Sequence, residues 1–154
     1  MNNAFFYRSP LGTMRVTEES GALVISAFVD GTAETAPSSP VLSDAKAWLD
    51  RYFIGRDPGP VPPLAPKGTP FQKAVWNALL SVPYGKTTTY ADLAVSMGLT
   101  PQHARAVGSA LHRNPLILFL PCHRVLGAGG SLTGFAGGLA RKKALLEIEQ
   151  HHIG

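Results

Sequence analysis

The alternation of apolar and polar positions changes its period partway along the chain. Near the start, AFFYR (4–8), TMRVTE (13–18) and ALVISAFV (22–29) are rich in β-branched and aromatic residues and are separated by the turn signals SPLG and ESG. They predict three antiparallel strands. Ser39 followed by Pro40 predicts a helix start; Val41, Ala45, Trp48, Leu49 and Tyr52 share one face, and Gly55 ends the helix. Residues 56–69, RDPGPVPPLAPKGT, hold five prolines. With φ fixed and the amide donor missing, such a stretch builds neither a helix nor a central strand, and it reads as an extended connector.

Past the connector the period becomes 3.6. Thr69 and Pro70 open a helix with Phe71, Ala74, Val75, Ala78 and Leu79 on one face, and YGK (84–86) interrupts the pattern. Thr89 caps a short helix with Tyr90, Leu93, Ala94 and Met97 inward and Gly98 closing it. Thr100 and Pro101 then begin PQHARAVGSALHR, with Ala104, Val107, Gly108 and Leu111 inward. Helix, glycine turn and helix make a helix-turn-helix pattern. His103, Arg105, His112 and Arg113 fall on the outer face of the second helix, and its small residues Ala104, Gly108, Ser109 and Ala110 let a partner approach the backbone closely. LILFL (116–120) is too short for a helix and predicts a buried strand that delivers Cys122 at its edge. GAGGSLTGFAGG (127–138) is a long loop that fits no phosphate-binding fingerprint. The last helix, LARKKALLEIEQ (139–150), packs Leu145, Leu146 and Ile148, with Glu149 one turn beyond Leu145.

The elements add up to an α+β chain in three parts: an antiparallel-sheet-plus-helix unit over 1–55, the connector over 56–69 and a helix-turn-helix unit over 70–154. The first part shows no chemistry and reads as a scaffold. With 154 residues, 45% hydrophobic and 16% charged, the chain is expected to bury a sizeable core. No apolar run approaches membrane-spanning length, and MNNAFFYRSP lacks the features of a secretory signal. One cysteine excludes an internal disulfide, nothing resembles a zinc cluster, and a reducing, cytosolic setting is expected. Charge then changes the picture. Residues 1–69 carry six Lys/Arg and seven Asp/Glu, net −1, whereas residues 70–154 carry eight and three, net +5. An excess confined to the helical half suggests that this half meets a polyanion.

Cys122 is the lone cysteine, in the stretch LPCHRV (120–125). By itself it is either a small buried residue or a nucleophile. His123 and Arg124 follow it in a basic half, and positive surroundings favour a thiolate. Adjacent side chains usually diverge, so His123 is expected to reach the sulfur through a water. PCHRV (121–125) resembles the active-site signature of the O6-alkylguanine-DNA alkyltransferases, the methylated-DNA–protein-cysteine methyltransferases. FQKAVWNALLSVPYGKTTTYADLA, ARAVGSALHRNP and LPCHRVLGAGGSLTGFAGGLARKKALLEIE resemble that family in order and spacing, over about residues 70–150. The first unit resembles the family's variable N-terminal domain more weakly.

The resemblance implies an RNase H-like N-terminal domain followed by a winged-helix-like C-terminal one. It implies a repair protein that moves an alkyl group from O6 of guanine, and from O4 of thymine, irreversibly to its own cysteine. Each molecule acts once and needs no cofactor or metal. By similarity Cys122 is the acceptor, His123 deprotonates it through a bridging water, and Glu149 holds the imidazole tautomer. Helix 101–113 enters the minor groove of alkylated double-stranded DNA, with Ala104 and Gly108 fitting the groove and Arg105 replacing the extruded base. Tyr90 crowds the phosphate and donates to the base, Asn114 supports the site, and backbone groups of Val125 and Ala136 read the guanine edge. Phe135 stands where many relatives have tyrosine and Ala136 where some have serine. His112 and Arg113 are bulkier than is common, and Ile117 lies near the pocket entrance. No membrane association is implied; the protein is expected to be a monomer, cytoplasmic in a bacterium and nuclear in a eukaryote. Two other readings stay open: a helix-turn-helix regulator that senses alkylation through Cys122, and a thiol hydrolase.

Overall fold

The computed structural model describes residues 2–31, 33–135 and 137–150. Its first elements, β1 (Asn2–Ser9), β2 (Gly12–Glu19) and β3 (Ala22–Val29), form an antiparallel sheet in the order β1-β2-β3. The strand alternation is the expected one: Phe5, Tyr7, Met14, Val16 and Leu23 are buried. Helix α1 (Pro40–Phe53) covers that face with Val41, Leu42, Ala45, Trp48, Leu49 and Tyr52. Ser39 caps it by accepting from the Leu42 amide at 3.4 Å.

The outer edge of β3 is where the rest of the chain attaches. The Leu23 amide donates to the Pro63 carbonyl and the Ala65 amide to the Leu23 carbonyl, both at 2.8 Å. Three residues on, the Ser26 amide donates to the Pro115 carbonyl at 2.9 Å and the Ile117 amide to the Ser26 carbonyl at 3.1 Å. The proline-rich segment gives this edge one carbonyl and one amide, the segment at 115–117 gives another of each, and the edge is not left bare.

Helix α2 (Pro70–Leu79) opens on a capping box between Thr69 and Gln72. Its buried face is Val75, Trp76 and Leu79, whereas Phe71 and Ala74 are exposed. The expected face was rotated: Trp76 carries the largest apolar surface, and its indole donates to the Ala110 carbonyl at 2.9 Å, docking α2 on the helix that holds Ala110. Ala110 is thus buried and unavailable to a partner. Strand β4 (Thr88–Thr89) leads into α3 (Tyr90–Ser96), which Thr89 caps. Gly98, at φ 82, turns the chain, and a 3-10 turn (Pro101–His103) feeds α4 (Ala104–His112). Strand β5 (Val125–Leu126) pairs in parallel with β4.

LILFL is not a strand. The Leu120 amide donates back to the Leu116 carbonyl at 2.9 Å, and Leu118 sits at φ 79. Asn114 closes this turn: its Oδ1 accepts from the Leu116 amide at 2.8 Å and its Nδ2 donates to the Leu120 carbonyl at 2.9 Å. A side chain that satisfies both ends lets an apolar run fold back inside the core, offsetting a left-handed leucine that costs about 1–2 kcal/mol. The run still packs as expected, with Phe119 against Trp48 at 4.8 Å between ring centroids, so one apolar core runs through both halves. Helix α5 (Leu139–Gln150) buries Lys142, Leu145 and Glu149, not Leu146 and Ile148, which are half-buried. Among the described residues no helix is long and apolar enough to cross a membrane.

Candidate active site

Cys122 begins a 3-10 turn (Cys122–Arg124) directly after the buried turn, rather than ending a strand. It lines a cavity of about 340 Å³ together with Tyr90, Gly108, Leu111, His112, Gly134 and Phe135. That is the low end for a ligand pocket and suits one planar ring system. Its walls come from α3, α4 and the glycine-rich loop. Gly108 leaves room between α4 and α3: a methyl there would stand in ordinary contact with the Tyr90 ring, at 3.6 Å. The Tyr90 hydroxyl meets the Thr133 hydroxyl at 2.5 Å, so the aromatic wall is tied to the loop.

The 3-10 turn sends Cys122 and His123 to different sides. Cys122 Sγ accepts from Asn114 Nδ2 at 3.1 Å. His123 is wholly buried, and its Nε2 lies 2.5 Å from Glu149 Oε2. Its Nδ1 is buried without a hydrogen-bond partner among the described residues. With Nε2 carrying the proton toward a carboxylate, Nδ1 keeps its lone pair and is a base awaiting a proton. Glu149 also takes Arg124 Nε at 2.8 Å and the Gly85 amide at 2.9 Å on Oε1, and the Tyr52 hydroxyl at 2.7 Å on Oε2.

These contacts set the protonation states. Burial works against charge on Glu149, but the hydrogen bond and charge of His123, followed by Arg124, outweigh it and hold the carboxyl at about 2. Burial holds the His123 imidazole below its ordinary value, against the pull of Glu149. The thiolate expectation is corrected. Burial pushes the Cys122 thiol up to about 11, only partly offset by Asn114 and by the charge of Lys142. Arg124 does not supply the positive field expected of it, because its guanidinium turns away to Glu149 and the Val82 carbonyl. Burial thus favours the protonated thiol at Cys122 and the neutral imidazole at His123.

Arg105 is exposed on α4, as are His103, His112 and Arg113, while Ala104 and Gly108 are half-buried on the same helix. Val125 is buried in β5; its amide donates to the Cys122 carbonyl and its carbonyl accepts from Lys142 Nζ at 2.7 Å. It does not line the cavity, and neither does Ile117, whose carbonyl accepts from Ser26 Oγ at 2.7 Å. Ala136 and residues 151–154 lie outside the described residues.

Three residues of this site escaped the sequence reading. Lys142 is fully buried and binds the Val125 and Thr133 carbonyls, clamping the glycine-rich loop to β5. Its signal was its spacing: three before Leu145 and seven before Glu149, it shares their face. Tyr52 counted only as an apolar residue of α1, although a buried phenol needs a partner for its hydroxyl. Thr133 gave no signal beyond its place in the loop.

A family model described as 6-O-methylguanine DNA methyltransferase, DNA binding domain, matches residues 70–151. The methylated-DNA–protein-cysteine methyltransferase of Mycobacterium leprae is 41% identical over 150 residues, covering 94% of this chain and 90% of that protein. The crystal structure of the Mycobacterium tuberculosis O6-methylguanine methyltransferase superposes with a TM-score of 0.85 at 36% identity, covering 100% of this chain and 96% of that one. The Mycobacterium tuberculosis OGT in complex with DNA gives 0.82 at 39% identity, covering 94% and 91%.

Proposed function

The chain belongs to the methylated-DNA–protein-cysteine methyltransferase family, and from that premise we propose how its own residues carry out the repair. It acts on DNA and transfers an alkyl group from the damaged base to a cysteine of its own. The observation that carries the assignment of roles is the juxtaposition of one cysteine in a ring-sized cavity with a neighbouring imidazole whose free nitrogen is held ready by a buried carboxylate.

Cys122 is the acceptor. Its S–H proton passes through a bridging water to His123 Nδ1 as the sulfur forms a bond to the alkyl carbon. The carbon–oxygen bond breaks and its electron pair stays on the base, where a hydrogen bond from Tyr90 lessens the charge that develops. Glu149 stabilises the imidazolium that results. The thioether has no leaving group for water to exploit, so the molecule is spent. Asn114 orients the sulfur, and the backbone of the glycine-rich loop that lines the cavity reads the base edge. Incubation with duplex carrying O6-methylguanine should raise the intact mass by one methyl group and then stop, with the adduct mapping to Cys122. An unchanged mass, or turnover beyond one equivalent, would overturn this assignment.

Base extrusion falls to α4. Its exposed basic side chains meet phosphates, and its small residues Ala104 and Gly108 bring it close to the minor groove, where readout is degenerate and sequence context matters little. Arg105 fills the space of the displaced base. Arg105→Ala is expected to slow repair of duplex by about 10-fold or more, the loss of a few kcal/mol of unstacking compensation, while transfer from the free base changes little. Equal losses on both substrates would remove Arg105 from this role. The protein works as a monomer, in a bacterial cell in the cytoplasm with the DNA it repairs.

A further inference from the structure

The first unit of the chain sends one side chain into the relay. Tyr52, near the end of α1, is fully buried, with its ring stacked on Trp48 at 5.6 Å and edge-on to Tyr84 at 5.8 Å and to His123 at 6.4 Å. Its hydroxyl lies 2.7 Å from Glu149 Oε2, 3.4 Å from the Leu145 carbonyl and 3.5 Å from His123 Nε2. A phenol has one proton to donate, and the carboxylate is the nearest and most strongly attracting acceptor. Oε2 therefore receives two donors, the phenol of the first unit and the imidazole of the second.

We propose that Tyr52 is a positioning residue of the alkyl-transfer reaction, which sets the basicity of His123 by sharing Glu149 Oε2 with it. This rests on reading Cys122, His123 and Glu149 as the transfer relay. The physical consequence is specific. Each donor to a carboxylate lowers its basicity. With the phenol in place, the Nε2 proton stays on the ring instead of being drawn to Glu149. The imidazolium formed during transfer is also stabilised less than by a carboxylate free of the phenol. His123 therefore stays neutral, and competent as a base, to lower pH. The other groups facing this cluster are Arg124 from the 3-10 turn, Lys142 from α5, Tyr84 from the loop before β4 and the Cys122 thiol. Among the described residues the hydrogen bonds to Oε2 come from Tyr52 and His123, and Arg124 bonds Oε1 instead. The N-terminal unit is in this sense part of the chemistry: without α1 the carboxylate loses the hydrogen bond of the Tyr52 phenol.

The test uses the full chain with Tyr52→Phe. Single-turnover transfer from duplex containing O6-methylguanine is followed from about pH 5 to 9, with duplex affinity measured alongside. The acid limb of the transfer rate should move to higher pH by on the order of one unit, with affinity unchanged within about twofold. A limb in its original place, whatever happens to the absolute rate, would reduce Tyr52 to packing and overturn the proposal. Incorporation of 3-fluorotyrosine at position 52 keeps the shape and makes a stronger donor, so the limb should move the opposite way; a shift in the same direction as in Tyr52→Phe overturns it as well. Titration of His123 by nitrogen NMR in wild type and Tyr52→Phe reads the same quantity without transfer. If the wild type accepts no methyl group, the relay reading fails, while an upward shift of the histidine midpoint still upholds the control of His123 by Tyr52 and an unmoved midpoint refutes it.

Discussion

Cys122→Ser is expected to abolish alkyl transfer, by on the order of 10³-fold or more, while duplex binding persists. The substitution is small, yet it acts where the chemistry is most demanding. In the proposed relay the wild-type thiol, raised to about 11 by burial, relies on His123 to remove its proton. A serine hydroxyl is harder still to deprotonate, and its oxygen is a poorer nucleophile toward saturated carbon. Asn114 Nδ2 remains available to donate to the new oxygen, so the fold should survive at a cost of about 1–3 kcal/mol for the buried hydroxyl. Binding is the control: Arg105 is exposed on α4 and is not among the residues that line the cavity with Cys122. Intact mass after incubation with methylated duplex, paired with a gel-shift titration, reads both properties. A Cys122→Ser protein that still gains a methyl group would place the acceptor elsewhere. One that loses DNA binding as well would mean that the sulfur has a structural task not seen in its contacts.

Glu149→Gln carries the second large effect, on both rate and stability. The amide keeps the volume but brings an NH₂ group to a carboxylate that accepts from Tyr52, His123, Arg124 and the Gly85 amide. At least one donor then faces another donor, and Arg124 loses its counter-ion while only 7% exposed. Breaking a buried pair in this way costs about 3–5 kcal/mol. Transfer should fall about 10²–10⁴-fold, because His123 loses both the group that fixes its tautomer and the one that stabilises its charged form. The pH dependence has a definite sign. The folded carboxyl sits at about 2, below its ordinary value of 4.5, so its contribution to stability is fully present above that ordinary value and is lost as pH falls toward 2. His123, also depressed, adds a contribution that disappears as pH falls below its own ordinary value of 6.5. Denaturant melts should therefore show a large gap between wild type and Glu149→Gln at pH 7 that narrows on acidification. A gap of constant size from about pH 7 to 3 would contradict an ionised Glu149 at the centre of the network.

The elements legible in the sequence were those whose signals are local. Ser39 with Pro40, Thr69 with Pro70, and Thr89 each began a helix where their side chains cap free amides, and the strand alternation from Phe5 to Val29 placed the first core face. The candidate site was named through the family resemblance of PCHRV and the segments around it, which singled out Cys122, His123 and Glu149. Errors arose where a polar side chain takes a partner that the apolar pattern does not reveal. Trp76 turned α2 by bonding to Ala110, and Asn114 bent LILFL into a turn by serving both of its ends. The charge near Cys122 misled for the same reason, since Arg124 finds Glu149 twenty-five residues away and leaves the sulfur to its burial.

The sequence by itself determined the helix starts, the division between a sheet-bearing and a helical half and the basic character of the latter. These follow from backbone preferences and side-chain types that act over one or two turns of chain. Only the tertiary structure decided that the sulfur rests as a thiol, that a buried lysine clamps the pocket loop and that a tyrosine from the first unit completes the carboxylate's shell of donors. Each depends on which groups meet once water is excluded. Desolvation energies are set by three-dimensional neighbours, and no period along the chain encodes them.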